Sequence, residues 1–318
     1  MTILQAIILG IVQGLTEFIP ISSTAHLIFA SRLMGLYESV EQALRAEQTT
    51  ATIAVIQLGT LLAVFVYFAR DIWAISVAFL RDHWALLRRD SSALTGGAGG
   101  LFRHLSDEAR LGWLVIIGSI PISVIGLLFK KQIEGTFTKN LWVIATMLVV
   151  MALLLLAAEK IGQRTRTMGD LGLRDALIVG FAQVLALIPG TSRSGATITG
   201  GLFAGETRET AARFSFLLSI PAITASGLLQ LKEAIVKLPP DSALPLVVST
   251  VVAGLVGYAS IWFLLRFLRT HSTGIFIGYR LVLGFVLVAL LSIGAISPLG
   301  EINALQRPSP PAPFAKNQ

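Results

Sequence analysis

The chain contains no cysteine, which excludes disulfide bridges and thiolate metal sites but leaves the cellular compartment open. Charge is also scarce, since Asp, Glu, Lys and Arg make up only 14% of the 318 residues. In soluble domains about a quarter of all residues are charged. Hydrophobic residues instead reach 54%, and the mean hydropathy is +0.76. This composition predicts an integral membrane protein without a large soluble domain.

The few charges sum to +7. In a membrane protein such an excess reflects cytoplasmic Lys and Arg that face anionic lipid headgroups, so membrane lipids are expected partners and nucleic acid is not. The first residues, MTILQAIILG, lack a positive region and a small-residue cleavage site. They are therefore expected to be part of the fold rather than a removable signal.

Six apolar runs have the length that a membrane-spanning helix needs, about 20 residues. They lie at 51–69, 112–129, 141–158, 211–231, 245–268 and 276–297. Two other apolar regions, 3–34 and 176–204, are interrupted by proline and polar residues, and each is too long for one span and too short for two. The pattern predicts an all-α integral membrane protein with about six full transmembrane helices and two re-entrant helical hairpins.

The two interrupted regions resemble each other. One reads G-x-x-Q-x-L and then I-P-x-S-S from Gly10 to Ser23, and the other reads G-x-x-Q-x-L and then I-P-x-T-S from Gly180 to Ser192. Three predicted spans separate them, and an odd number inverts the second copy. This predicts an inverted-topology repeat, approximately 1–158 and 170–297, in which the hairpins meet near the membrane centre.

The whole of 1–306 is then one polytopic membrane domain, with an interfacial loop at 70–111 and a disordered tail at 307–318. With the first hairpin entering from outside, the inside connections carry thirteen Lys and Arg residues, against eight in the outside connections and the tail. The positive-inside rule then places the loop 70–111 in the cytoplasm and both termini outside.

Each interrupted region should bring a helix N-terminus to the membrane centre. Pro20 ends the first half-helix and one of Ser22, Ser23 and Thr24 starts the next, while 189–195 repeats this arrangement. Free backbone N–H groups and positive dipole ends form an anion site. Arg193 adds a planar, permanently charged group that suits phosphate oxygens.

Ordinary helix capping explains the Ser, Thr and Pro residues but not Glu17, His26 and Arg193. Each of these costs about 2.5–3.5 kcal/mol at the bilayer centre. A functional polar site is the stronger interpretation, and a structural Glu17–Arg193 pair is the plainer one. Glu17, on the same helix face as Gln13, is a candidate to orient His26, to act as a base or to hold a divalent cation.

The nucleophile is left open between His26 and a hydroxyl, chiefly Ser23, with His26 as its base. Gln57, Tyr279 and Arg280 lie in other apolar runs. They fit the lining of the same cavity, an interhelical hydrogen bond or an anchor at a helix end. The sequence contains no P-loop, no G-x-S-x-G and no H-E-x-x-H motif.

GIVQGLTEFIPISSTAHL (10–27) and LIPGTSRSGATITGG (187–201) closely resemble the two signature motifs of the bacterial undecaprenyl-diphosphate phosphatases, the group associated with bacitracin resistance. The likeness extends through most of the chain, including VIQLGTLLAV (55–64) and FSFLLSIP (214–221). It implies hydrolysis of undecaprenyl diphosphate to undecaprenyl phosphate and inorganic phosphate, which recycles the lipid carrier for cell-wall synthesis.

The resemblance also implies a set of site residues. Carried over by motif, the catalytic residues are Glu17, Ser23, His26 and Arg193. The residues expected to bind the substrate phosphates are Ser22, Thr24, Thr191, Ser192, Ser194 and Gly195, with Gln13 and Gln57 in support.

A divalent cation, Mg²⁺ or Ca²⁺, is implied by the same resemblance, with Glu17 as its expected ligand. Gln13 stands at a position where the family accepts Glu or Gln, which weakens a two-carboxylate metal site. The implied location is the bacterial inner membrane, with the active site toward the periplasmic face. Whether the protein forms a homodimer, which metal it uses and which prenyl chain lengths it accepts are left open. A transporter or flippase for a prenyl-phosphate lipid is the alternative function, because inverted repeats with broken helices are common in transporters.

Overall fold

The computed structural model describes residues 1–36, 42–88, 104–129, 140–237 and 242–298. These ranges contain eleven α-helices and no strand, apart from one isolated β-bridge between Arg166 and Glu206. The helices are α1 (Ile3–Phe18), α2 (Ser23–Leu33), α3 (Gln42–Tyr67), α4 (Ala69–Leu87), α5 (Asp107–Leu128), α6 (Leu141–Ile161), α7 (Leu173–Val184), α8 (Arg193–Phe203), α9 (Arg208–Lys237), α10 (Ala243–Thr270) and α11 (Gly274–Ser292). The predicted all-α class is confirmed.

Each of the six predicted spans overlaps one long helix. Among the described residues, α5, α6, α10 and α11 are long and apolar enough to cross a membrane. A fifth crossing results if α3 and α4, which meet at an angle of 71°, count as one bent span. The protein is therefore a multi-pass membrane protein, whereas the count of six full spans with two re-entrant hairpins stays a prediction.

Both interrupted regions form a helix, a break and a second helix, as predicted. The first break lies between α1 and α2, and the second, which includes a 3-10 turn at Leu185–Leu187, lies between α7 and α8. Helix α1 packs against α10, and α7 packs against α5. The leading helix of each region thus contacts a long helix from the other half of the chain.

Small residues permit these close helix contacts, as is common in membrane proteins. A Cβ atom at Gly10 would lie 2.5 Å from the carbonyl oxygen of Ser249 on α10. A Cβ atom at Gly180 would lie 2.5 Å from the carbonyl oxygen of Gly118 on α5. Because a side chain at either position would separate the helices, these glycines fix how deeply each break sits in the bundle.

The region predicted to lie along the membrane surface is largely the helix α4. It packs against α5 and exposes an apolar stripe of large side chains. The exposed members are Trp73, Val77, Leu80, Trp84 and Leu87. Such a stripe suits an interfacial helix. The rest of the loop at 89–103 and the tail at 307–318 lie outside the described residues.

A buried polar cluster lies where α7 begins and α8 ends. Arg166 pairs with the Asp175 carboxylate, and backbone hydrogen bonds join residues 165–166 to 205 and 207. Glu206 is fully buried, with both carboxylate oxygens lacking a hydrogen-bond partner among the described residues. Burial, and after it the negative charge of Asp175, raises the pKa of Glu206 to about 8. This carboxyl group is therefore mostly protonated at neutral pH.

Candidate active site

The breaks place two helix N-termini close together, at the start of α2 and the start of α8. The N-cap residues are Ser22 and Ser192, and both have a positive φ, 76° and 68°. Positive φ is uncommon for residues other than glycine and is concentrated at functional sites. The sequence therefore places a strained serine at the same point in each break.

Aligning the two motifs on their prolines does not pair the two caps, because the segment before the proline is one residue longer in the first copy. The second copy has one more residue after its proline, so each N-cap lies 12 residues after the first glycine of its motif (22 − 10 and 192 − 180). Ser23 and Arg193 consequently occupy equivalent positions as the first residues of α2 and α8.

Glu17 is the centre of the polar cluster, and its side chain is almost fully buried. Its Oε2 accepts hydrogen bonds from Gln13 Nε2 at 3.1 Å and from Ser23 Oγ at 2.7 Å. Its Oε1 accepts from Arg193 Nη2 at 2.9 Å and from Gln57 Nε2 at 3.3 Å. The structure thus joins four predicted residues to the carboxylate of a fifth, Glu17.

Arg193 joins the second break to the first, but only half of its guanidinium is used. Nη2 makes the ion pair with Glu17, while Nη1 is buried and has no partner among the described residues. Nearby in the chain, the hydroxyl of Thr191 is also buried without a partner. Two unpaired polar groups beside a helix N-terminus are costly unless a ligand satisfies them. The arrangement provides donors for an anion.

Among the described hydrogen bonds, His26 makes none to Glu17 or to the Ser23 hydroxyl, although the sequence allowed both. Its Nδ1 lies 2.8 Å from the carbonyl oxygen of Ser22, and its Nε2 lies 2.6 Å from the hydroxyl of Tyr279 on α11. The His26 and Tyr279 rings are stacked, with centroids 5.6 Å apart. The expectation that Glu17 orients His26 is therefore not met here, and Ser23 donates to Glu17 rather than to the imidazole.

Arg280 holds the two breaks against each other. The residue is buried, and it donates to Pro20 O at 3.1 Å in the first break and to Gly190 O and Thr191 O at 3.0 and 2.9 Å in the second. It also donates to the carbonyls of residues 147 and 148 on α6, each at 3.3 Å. Five carbonyl oxygens, and no carboxylate, surround this cation among the described hydrogen bonds.

The remaining predicted phosphate-binding residues differ in their positions. The Ser192 hydroxyl caps α8 by accepting from Gly195 N at 3.2 Å, and the Ser194 hydroxyl reaches the carbonyls of Glu17 and Ile19 at 3.3 and 3.4 Å. Thr24 is exposed and is not part of the cluster.

Gly195 needs its small size, because a Cβ atom there would lie 3.0 Å from Nη1 of Arg280. Ser22 contributes its carbonyl to His26, and its side chain makes no cap hydrogen bond.

One member of the cluster was missed by the sequence analysis. Thr60 accepts from Gln13 Nε2 at 3.3 Å and donates to the carbonyl of Gln57 at 2.8 Å. Thr60 lies three residues after Gln57 on the same helix, and this spacing, which places both side chains on one face, could have indicated that Thr60 belongs to the cluster. For Arg280 and Tyr279 the sequence leaves a cavity lining, an interhelical hydrogen bond and a helix-end anchor open, and the structure brings both residues to the site. A buried arginine in an apolar helix is the signal that identified the first of them.

Comparison with known proteins identifies the family of the chain. The family model described as "Bacitracin resistance protein BacA" matches residues 6–286. A protein of Syntrophobacter fumaroxidans named "Undecaprenyl-diphosphatase" is 50% identical over 288 residues, which cover 91% of this chain and 97% of that protein. A protein of the same name from Chloroherpeton thalassium is 46% identical, and the alignment covers 93% of this chain and 99% of that protein. Another from Myxococcus xanthus is 45% identical, and the alignment covers 100% of this chain and 99% of that protein.

Proposed function

Because the chain belongs to the bacitracin resistance protein BacA family, we propose that it hydrolyses undecaprenyl diphosphate to undecaprenyl phosphate and inorganic phosphate. Relatives named undecaprenyl-diphosphatase align with it over almost their whole length. The names support a hydrolase rather than the transport alternative. The reaction returns the lipid carrier to cell-wall synthesis and accounts for resistance to bacitracin.

The observation that carries the proposal is the half-used guanidinium of Arg193. Nη2 holds Glu17, and the buried Nη1 remains available for a terminal phosphate oxygen. The N-termini of α2 and α8 add N–H donors and positive dipole ends. Stabilisation of the charge on the transferring phosphoryl group is the main catalytic contribution in such a site.

Ser23 is proposed as the nucleophile, since its hydroxyl already donates to Glu17 while Nε2 of His26 is occupied by Tyr279. A bond forms between Ser23 Oγ and the terminal phosphorus, and the proton of Oγ passes to Glu17. The bond from phosphorus to the bridging oxygen breaks, and its electron pair leaves with undecaprenyl phosphate. Arg193 holds the charge of the transferring phosphoryl group during this exchange.

A water molecule then completes the reaction. Its oxygen bonds to the phosphorus of the phosphoserine, and its proton passes to Nε2 of His26. The bond from phosphorus to Ser23 Oγ breaks, Oγ regains the proton from Glu17, inorganic phosphate departs, and His26 releases its proton to solvent. This division gives His26 the role of base for water and leaves Glu17 as the partner of Ser23.

The residues around Glu17 do not fit a divalent cation held by the protein alone. Within the described parts of the chain, Glu17 is the single carboxylate of the cluster, and four donors already point at its oxygens. Among the described residues no group of three or more His, Asp or Glu side chains has metal-binding spacing. We therefore propose that the Mg²⁺ or Ca²⁺ implied by the family resemblance arrives with the diphosphate, as Mg²⁺ commonly does.

Localisation in the bacterial inner membrane, with the site opening toward the periplasm, follows as part of the proposal. Its support is the larger number of Lys and Arg residues in the connections assigned to the inside, together with the substrate, whose prenyl tail is confined to lipid. A homodimer stays a prediction.

The test is phosphate release by the purified full chain in detergent, with a C55 or C15 prenyl diphosphate and Mg²⁺ or Ca²⁺. Wild-type protein should release phosphate, and Arg193→Lys should lose about 10²-fold or more, because a point charge cannot hold Glu17 and the phosphate together. Arg266→Lys is the matched control, since Arg266 is exposed and lies over the Trp262 ring. A folded wild-type protein that releases no phosphate would refute the proposal.

A further inference from the structure

The hydroxyl of Tyr279 occupies the nitrogen of His26 that the proposed reaction needs. The separation between Tyr279 OH and His26 Nε2 is 2.6 Å, and the two rings are stacked with an interplanar angle of 15°. The residues are 253 positions apart in the sequence. A hydrogen bond this short, combined with stacked rings, is a specific interaction of the resting enzyme.

The hydrogen bonds also identify which nitrogen carries the proton. Nδ1 faces the carbonyl oxygen of Ser22 at 2.8 Å, and a carbonyl oxygen only accepts hydrogen bonds. Nδ1 of the neutral ring is therefore the protonated nitrogen, and the lone pair of Nε2 accepts from Tyr279. In this state Nε2 cannot take a proton from water.

The two partners of His26 differ in their freedom to move. Ser22 is 1% exposed, and its carbonyl belongs to the strained cap of α2. Tyr279 is 44% exposed, and besides the stacking of its ring it holds His26 by one hydrogen bond from its hydroxyl. Departure of the tyrosine hydroxyl frees Nε2 while the bond from Nδ1 to Ser22 keeps the ring and its tautomer in place.

The geometry points to Tyr279 as a displaceable positioning residue: its hydroxyl satisfies Nε2 of His26 in the resting enzyme and leaves that nitrogen when the attacking water takes its place. The inference rests on the proposed function, because it concerns the base that activates water. The hydroxyl makes no bond to the reacting atoms. In the step itself, the water oxygen bonds to phosphorus and the water proton goes to Nε2.

Removal of the hydroxyl should therefore speed the reaction. Tyr279→Phe keeps the stacked ring but removes the competing hydrogen bond, which is worth about two- to tenfold in the availability of Nε2. We expect kcat/KM for a C15 prenyl diphosphate to rise by about two- to tenfold. Tyr258→Phe is the matched control, because Tyr258 is also 44% exposed but contacts the Tyr67 ring rather than a histidine, and its kcat/KM should equal the wild-type value.

Nitrogen NMR on protein labelled with ¹⁵N-histidine tests the premise separately. The chain has four histidines, and His26→Gln identifies the signals of His26. In wild type and in Tyr279→Phe the Nδ1 proton should remain, whereas the Nε2 resonance should move toward the position of a free acceptor only in Tyr279→Phe.

Three results have distinct meanings. An inactive but folded wild type refutes the proposed function itself. An active wild type whose Tyr279→Phe variant is equally fast or slower overturns the displacement of Tyr279. An unchanged Nε2 resonance in Tyr279→Phe also overturns it, because the hydrogen bond would then be absent in solution.

Discussion

Replacement of Arg280 by lysine tests whether one side chain holds both breaks together. The guanidinium makes five hydrogen bonds to carbonyl oxygens, with Pro20 on one side and Gly190 and Thr191 on the other. A lysine has three donors on one nitrogen and cannot span the same group of carbonyls. The carbonyls of residues 147 and 148 lie within α6 and keep their helical donors, so the loss falls on the acceptors in the breaks. In Arg280→Lys at least one of the break carbonyls therefore loses its partner.

The cost follows from the burial of these oxygens. A buried carbonyl left without a donor costs about 1–3 kcal/mol, so Arg280→Lys should lower the free energy of unfolding by at least about 1–3 kcal/mol. The breaks would also separate, and a misplacement of about 1 Å at a catalytic site commonly costs about 10²-fold in rate. We therefore expect phosphate release to fall by about this factor even where the variant remains folded.

The assay combines a denaturant titration in detergent with phosphate release at a temperature where the variant is folded. Arg70→Lys serves as the control, since Arg70 is exposed at the start of α4 and should match wild type in both measurements. If Arg280→Lys unfolded within about 0.5 kcal/mol of wild type and retained full activity, the five carbonyl contacts would not be the device that aligns the breaks.

Three further predictions concern other groups. Ser23→Ala should reduce phosphate release by about 10³-fold or more, and His26→Gln should accumulate phosphate on Ser23, which acid-quenched labelling detects; no label would contradict Ser23 as the nucleophile. Glu206 has a folded pKa of about 8 against 4.5 for an ordinary Glu, so the folded state retains a proton that the unfolded state loses. Stability should fall by about 1.4 kcal/mol per pH unit from about pH 4.5 to 8, and Glu206→Gln should abolish this slope in pH-dependent unfolding. Gln13→Glu places a second carboxylate beside Glu17 and should create Ca²⁺ binding that calorimetry detects without substrate, whereas the wild type should show none. Ca²⁺ binding by the wild type without substrate would contradict the proposal that the cation arrives with the diphosphate.

Local signals in the sequence predict the helices of the fold and, apart from Thr60, the polar residues near Glu17. Proline and hydroxyl residues mark both breaks, and the four-residue spacing of Gln13 and Glu17 predicts a shared helix face, on which the structure joins them by a hydrogen bond of 3.1 Å. These features depend on neighbours along one helix. For the same reason, apolar runs of spanning length correctly located α5, α6, α10 and α11.

Contacts between distant segments could not be predicted in the same way. The bond from Arg280 to Pro20 joins residues 260 positions apart, and its five acceptors are backbone carbonyls, which carry no residue-specific signal. The pairing of Tyr279 with His26 could not be predicted for the same reason, since the two residues are 253 positions apart. An arginine or tyrosine in an apolar helix indicates that a polar partner exists, but only the tertiary packing of α11 identifies that partner.

The matched breaks explain why the site is asymmetric despite the repeat. At equivalent distances from the caps, the first copy has Ser23 and His26 where the second has Arg193 and Ala196. A nucleophile and a base on one helix N-terminus, and a fixed charge on the other, can approach a diphosphate from two sides. Glu17 neutralises Arg193 in the resting protein, while the buried Arg280 and the two helix dipoles leave the region positive. A substrate with several negative charges is therefore stabilised there without requiring Glu17 to leave Ser23.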